Sequence, residues 1–183
     1  MSARLLSPLL HPPAAAPEKA SMLEVRACPV PIARALIEEW HSRLPITQKG
    51  PWSQAYVAHY EETAFAAALW HNPSARTLPQ DWLELRRLAV APDAPHCTAS
   101  MMLAKMKKHI TTTRPDITHL ISYQDAEVHS GTIYKAAGWV AEHRTKQRQR
   151  DRSTLRPNGR TYRTSINGSA PDAAEKIRWG IDL

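Results

Sequence analysis

Two apolar runs, SQAYVAHY at 53–60 and TAFAAALWH at 63–71, stand on either side of a Glu61-Glu62 pair. Runs of that length meeting at a short polar turn read as two antiparallel strands of a hairpin, which commits the chain to a sheet. The flanking segments say how the sheet is covered. Upstream, 22–27 reads as a strand, and Pro31 suits the first turn of a helix carried by IARALIEEWHSRL. Downstream, LELRRLAV at 83–90 reads as a fourth strand. TASMMLAKMKKHITTT follows as a helix, with Thr98 as its N-cap and Met102, Leu103, Met106 and Ile110 as its apolar face. Its lysines, Lys105, Lys107 and Lys108, lie in the C-terminal half, where they complement the helix dipole. THLISY is the next strand, Ser130 caps a short helix ending at Gly138, and Trp139 opens another strand. GRTYRTSI and EKIRWGI are candidate final strands. This order predicts an α/β fold, a mixed central sheet flanked by helices, as a single domain over 21–183.

At 183 residues the chain is long enough to bury one genuine core. No apolar run approaches the ~18 residues a membrane helix needs, so a soluble, cytoplasmic protein is expected. The opening stretch MSARLLSPLLHPPAAAPEKA is Leu-rich, but four prolines break it, and 1–20 reads as a disordered arm rather than a signal peptide. Cys28 and Cys97 have no metal-binding or disulfide spacing and suit a reducing compartment. The charge is the strongest compositional signal. Arg144, Lys146, Arg148, Arg150, Arg152, Arg156, Arg160 and Arg163 face a single acid, Asp151, so this segment's 8 − 1 = +7 equals the net charge of the whole chain. A basic segment on an otherwise neutral protein points to a polyanion, DNA first, or else to a solvated charge run.

Four places along the chain invite chemistry. Regular alternation in LELRRLAV puts Arg87 on one side with Leu83, Leu85 and Ala89; a guanidinium there needs a ligand's phosphate or carboxylate, or a structural partner such as Asp125. The turn APDAPHCTAS leads a strand into a helix with no acid in its first turn. Its amide end, with the hydroxyls of Thr98 and Ser100, can hold an anion or can simply be a capped helix. Asp125 ends a strand where open α/β sheets bind ligands, and Tyr134 follows on a short helix. A phenol there can protonate a leaving thiolate or alkoxide; alternatively Tyr134 packs and Asp125 caps its loop. His41 is a lone histidine, structural or surface by default, and none of the nine histidines shows metal-binding spacing.

The stretch Tyr134-Lys135-Ala136-Ala137-Gly138-Trp139 resembles the Tyr-x-x-x-Gly-aromatic signature of GCN5-related N-acetyltransferases (GNATs), whose tyrosine protonates departing coenzyme A. DAPHCTAS, however, lacks the glycines usual in that fold's pyrophosphate cradle. LELRRLAV, a serine thirteen residues after Arg87, SYQD and HSGTIYKAAGW together resemble Mom-type phage DNA-modification proteins, divergent members of the same fold. The resemblance extends more loosely to WHSRLP at 40–45 and to the Arg-rich end. It implies a phage enzyme that uses acetyl-CoA to install a methylcarbamoyl group on adenine N6 in DNA, protecting that DNA from restriction. It also implies a location in the host cytoplasm. Arg87 and Ser100, with Thr98 beside them, would hold acetyl-CoA. His41, Asp125 and Tyr134 would form the reaction centre, where the family is proposed to bind iron, and the eight basic residues from Arg144 to Arg163 would grip DNA.

That product joins adenine N6 to a CH₂ bearing an amide, a bond that attack on a thioester carbonyl cannot make. The acetyl methyl carbon must be functionalised instead, and imidazole, carboxylate and phenolate all suit iron. Two other functions fit the same sequence: an ordinary acetyl-CoA-dependent N-acetyltransferase acting on a protein, RNA or small-molecule amine, and a non-catalytic DNA-binding module.

Overall fold

The computed structural model describes residues 15–41, 51–73, 75, 77–145 and 175–183. A 3-10 turn at Ala20–Met22 leads into β1 (Glu24–Ala27), α1 (Val30–Trp40), β2 (Trp52–Tyr60), β3 (Thr63–His71) and β4 (Trp82–Val90). There follow α2 (Thr98–Thr113), β5 (His119–Asp125), α3 (Thr132–Ala136), β6 (Val140–Thr145) and β7 (Lys176–Asp182). The described strands form one seven-stranded sheet in the order β1-β2-β3-β4-β5-β7-β6. Neighbours pair antiparallel except β4 and β5, which run parallel because α2 carries the chain back between them.

The expected hairpin is the middle of the sheet. Every residue of β3 is buried, and its alanines let helices approach from both sides. On one side α1 seats Ala33, Leu36 and Ile37 over Ala64, Ala67 and Leu69. On the other, α2 seats the four expected apolar residues, all fully buried, over a cluster containing Ala66, Ala68 and Trp70. Burying a side chain of that size stabilises the fold by ~1.5–3 kcal/mol. The sheet therefore has an α1 side and an α2 side, and α3 packs with α2.

Several expectations need correction. The N-cap of α2 is Cys97, in the left-handed region at φ 68°, because buried Thr98 donates its hydroxyl backward to Pro95 O at 2.6 Å. Gly131, not Ser130, occupies the N-cap of α3; the Ser130 hydroxyl is engaged with Thr132 Oγ1 at 2.7 Å. Lys107 and Lys108 lie in the C-terminal half of α2 as expected, though short of its last turn, and Lys105 donates to Leu23 O at 2.5 Å. Within the stretch expected as an arm, Pro17 and Ala20 are buried; 1–14 lies outside the described residues, as does the expected strand GRTYRTSI.

The largest correction is in β4. Trp70 pairs with Leu85 and Leu69 with Arg87, so Arg86 is an extra residue, a β-bulge. Paired residues of antiparallel strands share a side. Leu85 with Trp70 and Leu88 with Ala68 therefore face α2, whereas Arg87 with Leu69 and Ala89 with Ala67 face α1. Arg87 is not on the side of Leu83 and Leu85, because the bulge reverses the alternation. Among the described residues no helix is long and apolar enough to cross a membrane. Both cysteines are free thiols, and burial pushes Cys28 up to about 11.

Candidate functional site

A gap opens in the middle of the sheet. The β4–β5 rungs run from Trp82–His119 to Leu85–Ser122 and stop there, although β4 continues to Val90 and β5 to Asp125. The bulge begins at the next residue, so strand twist and loss of pairing coincide. Ser122 marks the vertex: its hydroxyl donates to Leu85 O at 3.2 Å and lies 2.9 Å from Tyr134 Oη.

Tyr134 reaches that vertex from the α2 side. Its ring stacks on Trp179 at 5.3 Å and 10°, and meets Trp139 at 5.7 Å. The Trp179 indole donates to Gln124 Oε1 at 2.5 Å, and the Gln124 amide donates to His129 O, tying the loop after β5 to the sheet. Burial raises the phenol above its ordinary value, against a smaller opposing effect of the Ser122 hydrogen bond. Tyr134 therefore keeps its proton at neutral pH, the state a general acid needs.

The signature around Tyr134 has a local cause. Gly138 stands at φ 77°, its N–H donates to Lys135 O at 3.1 Å, and the Trp139 N–H donates to Tyr134 O at 2.9 Å. These are the two bonds of a Schellman motif, in which the glycine takes the left-handed position and the next residue packs back onto the helix. Tyrosine and tryptophan five residues apart are thus brought into contact by the way the helix ends.

Near the vertex, α2 presents its N-terminus with no side-chain cap and no acid in the first turn. Its amide end is an anion site by construction. The hydroxyls expected to assist are engaged locally, Thr98 with Pro95 O and Ser100 with Cys97 O at 3.0 Å.

The α1 side carries a different set. Glu84 is buried opposite His71, and Arg86 Nη1 holds its carboxylate at 2.8 Å. Arg87 gives Nη1 to Arg86 O at 2.8 Å, and its buried Nε has no partner among the described residues. Burial, then Arg86, lowers the Arg87 pKa, and Glu84 opposes them. His41 is the C-cap of α1. Burial, followed by the charges of Arg87 and His129, holds its imidazole below the ordinary 6.5. In β5, Ser122 and Gln124 engage Tyr134 and Trp179 on the α2 side, so alternation turns Asp125 toward α1. Asp125 accepts the Glu127 N–H at 3.1 Å and so caps its loop.

The structure thus divides the expected site. Tyr134, Thr98 and Ser100 lie on the α2 side, whereas Arg87, His41 and Asp125 lie on the α1 side. Tyr134 is committed to Ser122 and stacked flat on Trp179, so His41, Asp125 and Tyr134 do not fit a shared iron. Nor do three His, Cys, Asp or Glu side chains converge on a metal-sized site anywhere among the described residues. Reading the sequence missed Ser122, Gln124, Trp179, Glu84 and His129. A serine inside the apolar strand HLISYQD was the one local signal, because a buried hydroxyl needs a partner.

Of the basic segment, Arg144 is described, exposed, with Nη1 3.6 Å from Glu175 Oε2. Lys146, Arg148, Arg150, Arg152, Arg156, Arg160 and Arg163 lie outside the described residues. The segment's anchorage is clear. Asp125 pairs with Lys176 and Lys176 with Thr145, so the chain departs after Thr145 and returns at Glu175 beside the open end of the gap.

This architecture is that of the GNAT acetyltransferases. The ribosomal-protein-S18-alanine N-acetyltransferase of Escherichia coli superposes with a TM-score of 0.53 at 14% identity, covering 88% of this chain and 94% of that one. A Bacillus subtilis acetyltransferase in complex with CoA gives 0.56 at 10% identity, over 88% and 99%. A GNAT family acetyltransferase from Elizabethkingia anophelis with acetyl-CoA bound gives 0.52 at 14%, over 88% and 99%. No curated protein sequence matches the chain. Within this fold class the family is specific: the sequence model of the Mom protein family matches residues 22–165, and the chain belongs to that family.

Proposed function

We propose that this protein is an acetyl-CoA-dependent transferase that modifies adenine N6 in DNA with a methylcarbamoyl group, and so shields phage DNA from restriction. The observation that carries the reading is Tyr134 Oη at the vertex of the β4–β5 gap, in a chain of the Mom family. A thioester lying in the gap, with its pyrophosphate at the amide end of α2, would present its sulfur to a phenol that burial keeps protonated. The open backbone edges of β4 and β5 beyond Leu85 and Ser122 can bond an extended amide-bearing arm as an added strand would.

The acceptor enters from the α1 side. His41, held neutral by its surroundings, is a proton acceptor there. The adenine must leave its stack, since N6 belongs to the pairing edge. The basic segment anchored beside the gap supplies the phosphate grip. The described side chains supply binding, orientation and proton transfer. Joining N6 to the acetyl methyl carbon removes two electrons, and replacing the thiolate by an amide takes up one amine nitrogen. The full reaction therefore also draws on a two-electron oxidant and an ammonia-level nitrogen donor. No step is assigned to iron, which His41, Asp125 and Tyr134 do not jointly fit.

Nucleoside mass spectrometry of DNA from cells expressing the protein tests the reading. Deoxyadenosine carrying the methylcarbamoyl increment, lost in Tyr134→Phe, is the expected result. Unmodified DNA together with acetylated protein or small-molecule amines would replace it with an ordinary N-acetyltransferase.

A further inference from the structure

Arg87 and the amide end of α2 stand on opposite sides of the sheet, and that separation assigns them different ligands. In a regular strand Arg86 and Arg87 would point to opposite sides. The bulge changes this: Arg87 faces α1 through its pairing with Leu69, and Arg86 reaches the same side to hold buried Glu84. Glu84 is the carboxylate that opposes the desolvation of Arg87, and Arg86 occupies it at 2.8 Å. Arg87 is left half-buried with an Nε that has no partner among the described residues. The other groups whose charge couples to it are Arg86, His41 and His71, while the carboxylate of Asp125, also on this side, accepts the Glu127 N–H. His129 joins them through His41, from the loop that Gln124 ties down. A partly desolvated cation among donors, with its local counter-ion taken, is a site for an external anion.

We propose that Arg87, flanked by His41 and His129, binds a phosphate of the acceptor strand next to the target nucleotide, and does not hold the cofactor. This rests on the reading of a nucleic-acid acceptor given above. Three features place the anion on the acceptor. On the reading above, the cofactor's pyrophosphate would lie at the uncapped N-terminus of α2, on the other side of the sheet. The α1 side of the gap is where α1 ends at His41. The described ends of the basic segment, Thr145 and Lys176, stand beside the same open end.

The test compares two ligands in the full-length protein. Coenzyme A is titrated calorimetrically, and a labelled single-stranded deoxyoligonucleotide containing one adenine is followed by fluorescence anisotropy. Arg87→Gln should bind coenzyme A within about twofold of wild type, which also reports that it is folded. Its oligonucleotide affinity should fall roughly 10-fold or more, as for loss of a charged hydrogen bond. The slope of log K against log[salt] should become shallower by about 0.7, the value for one phosphate contact on a single strand. Arg87→Lys keeps the charge and should restore the slope and part of the affinity. A loss of coenzyme A binding with oligonucleotide binding intact would return Arg87 to the cofactor and overturn the proposal. Wild-type binding of the oligonucleotide with Arg87→Gln equally tight would remove this assignment alone. Absence of oligonucleotide binding by wild type would remove the nucleic-acid reading, and this site with it.

Discussion

At the scale of single residues, Tyr134 and His41 carry opposite proton states, each set by its surroundings. Burial holds the phenol protonated and the imidazole neutral. Tyr134→Phe keeps the Trp179 stack and removes one hydrogen bond, so chemical denaturation should show a loss of about 1 kcal/mol. Product formation should drop roughly 100-fold or more if the phenol is the acid. An equal rate with Phe would reduce Tyr134 to packing. The histidines also set a pH dependence of stability. His41 and His71 both lie below 6.5 in the folded protein, burial being the leading cause for each. Below pH ~6.5 the unfolded chain takes up protons that the folded one refuses. Their contribution is therefore fully present above 6.5 and is lost as pH falls through the lowered folded values. Melting temperature should decline on acidification below 6.5, and less so in a His41→Gln, His71→Gln double variant.

At the scale of elements, the two glycines around α3 differ in a way that can be measured. Both have positive φ, 74° at Gly131 and 77° at Gly138. A Cβ on Gly138 meets nothing within 4 Å, so Gly138→Ala should cost only the backbone strain, ~1–2 kcal/mol. A Cβ on Gly131 would stand 2.4 Å from Trp179 Cζ2 and 2.6 Å from Gln124 Oε1. Gly131→Ala should thus be clearly the less stable in thermal unfolding, and its indole fluorescence should shift as Trp179 moves. Equal melting temperatures would contradict the packing described. These elements also show what the sequence reveals. The α2 face of Met102, Leu103, Met106 and Ile110 is legible because helical period alone determines it. The Gly138 cap is legible because left-handed backbone selects glycine. The side on which Arg87 lies is not legible: a bulge arises from pairing with β3, and nothing in LELRRLAV announces an extra residue. The caps of α2 and α3 were misplaced because Thr98 and Ser130 each have a nearer partner than the helix amides.

At the scale of the whole molecule, the sheet separates the proposed cofactor side from the proposed acceptor side, and Thr145 and Lys176, which bound the basic segment, pair next to the opening between them. If about five to seven of its charges touch phosphates, log K for duplex DNA should fall with log[salt] at a slope of roughly −4.5 to −6. Replacing Arg148, Arg150 and Arg152 with glutamine should flatten that slope by nearly 3 and leave coenzyme A affinity unchanged. A flat slope in wild type would assign the segment some other role. The order of strands and helices was readable along the chain because each element has its own period. The split of the site was not, because it depends on where β4 and β5 stop pairing, a property of two strands about thirty residues apart.

One supernumerary residue at position 86 has an outcome out of proportion to its size. It lets β4 offer Leu83, Leu85, Leu88 and Val90 to a single helix as an unbroken greasy row, while two guanidiniums in succession turn the other way. The first is consumed as ballast for Glu84. The second keeps a buried Nε with no partner among the described residues, so a strand otherwise devoted to holding the molecule together carries one uncommitted donor.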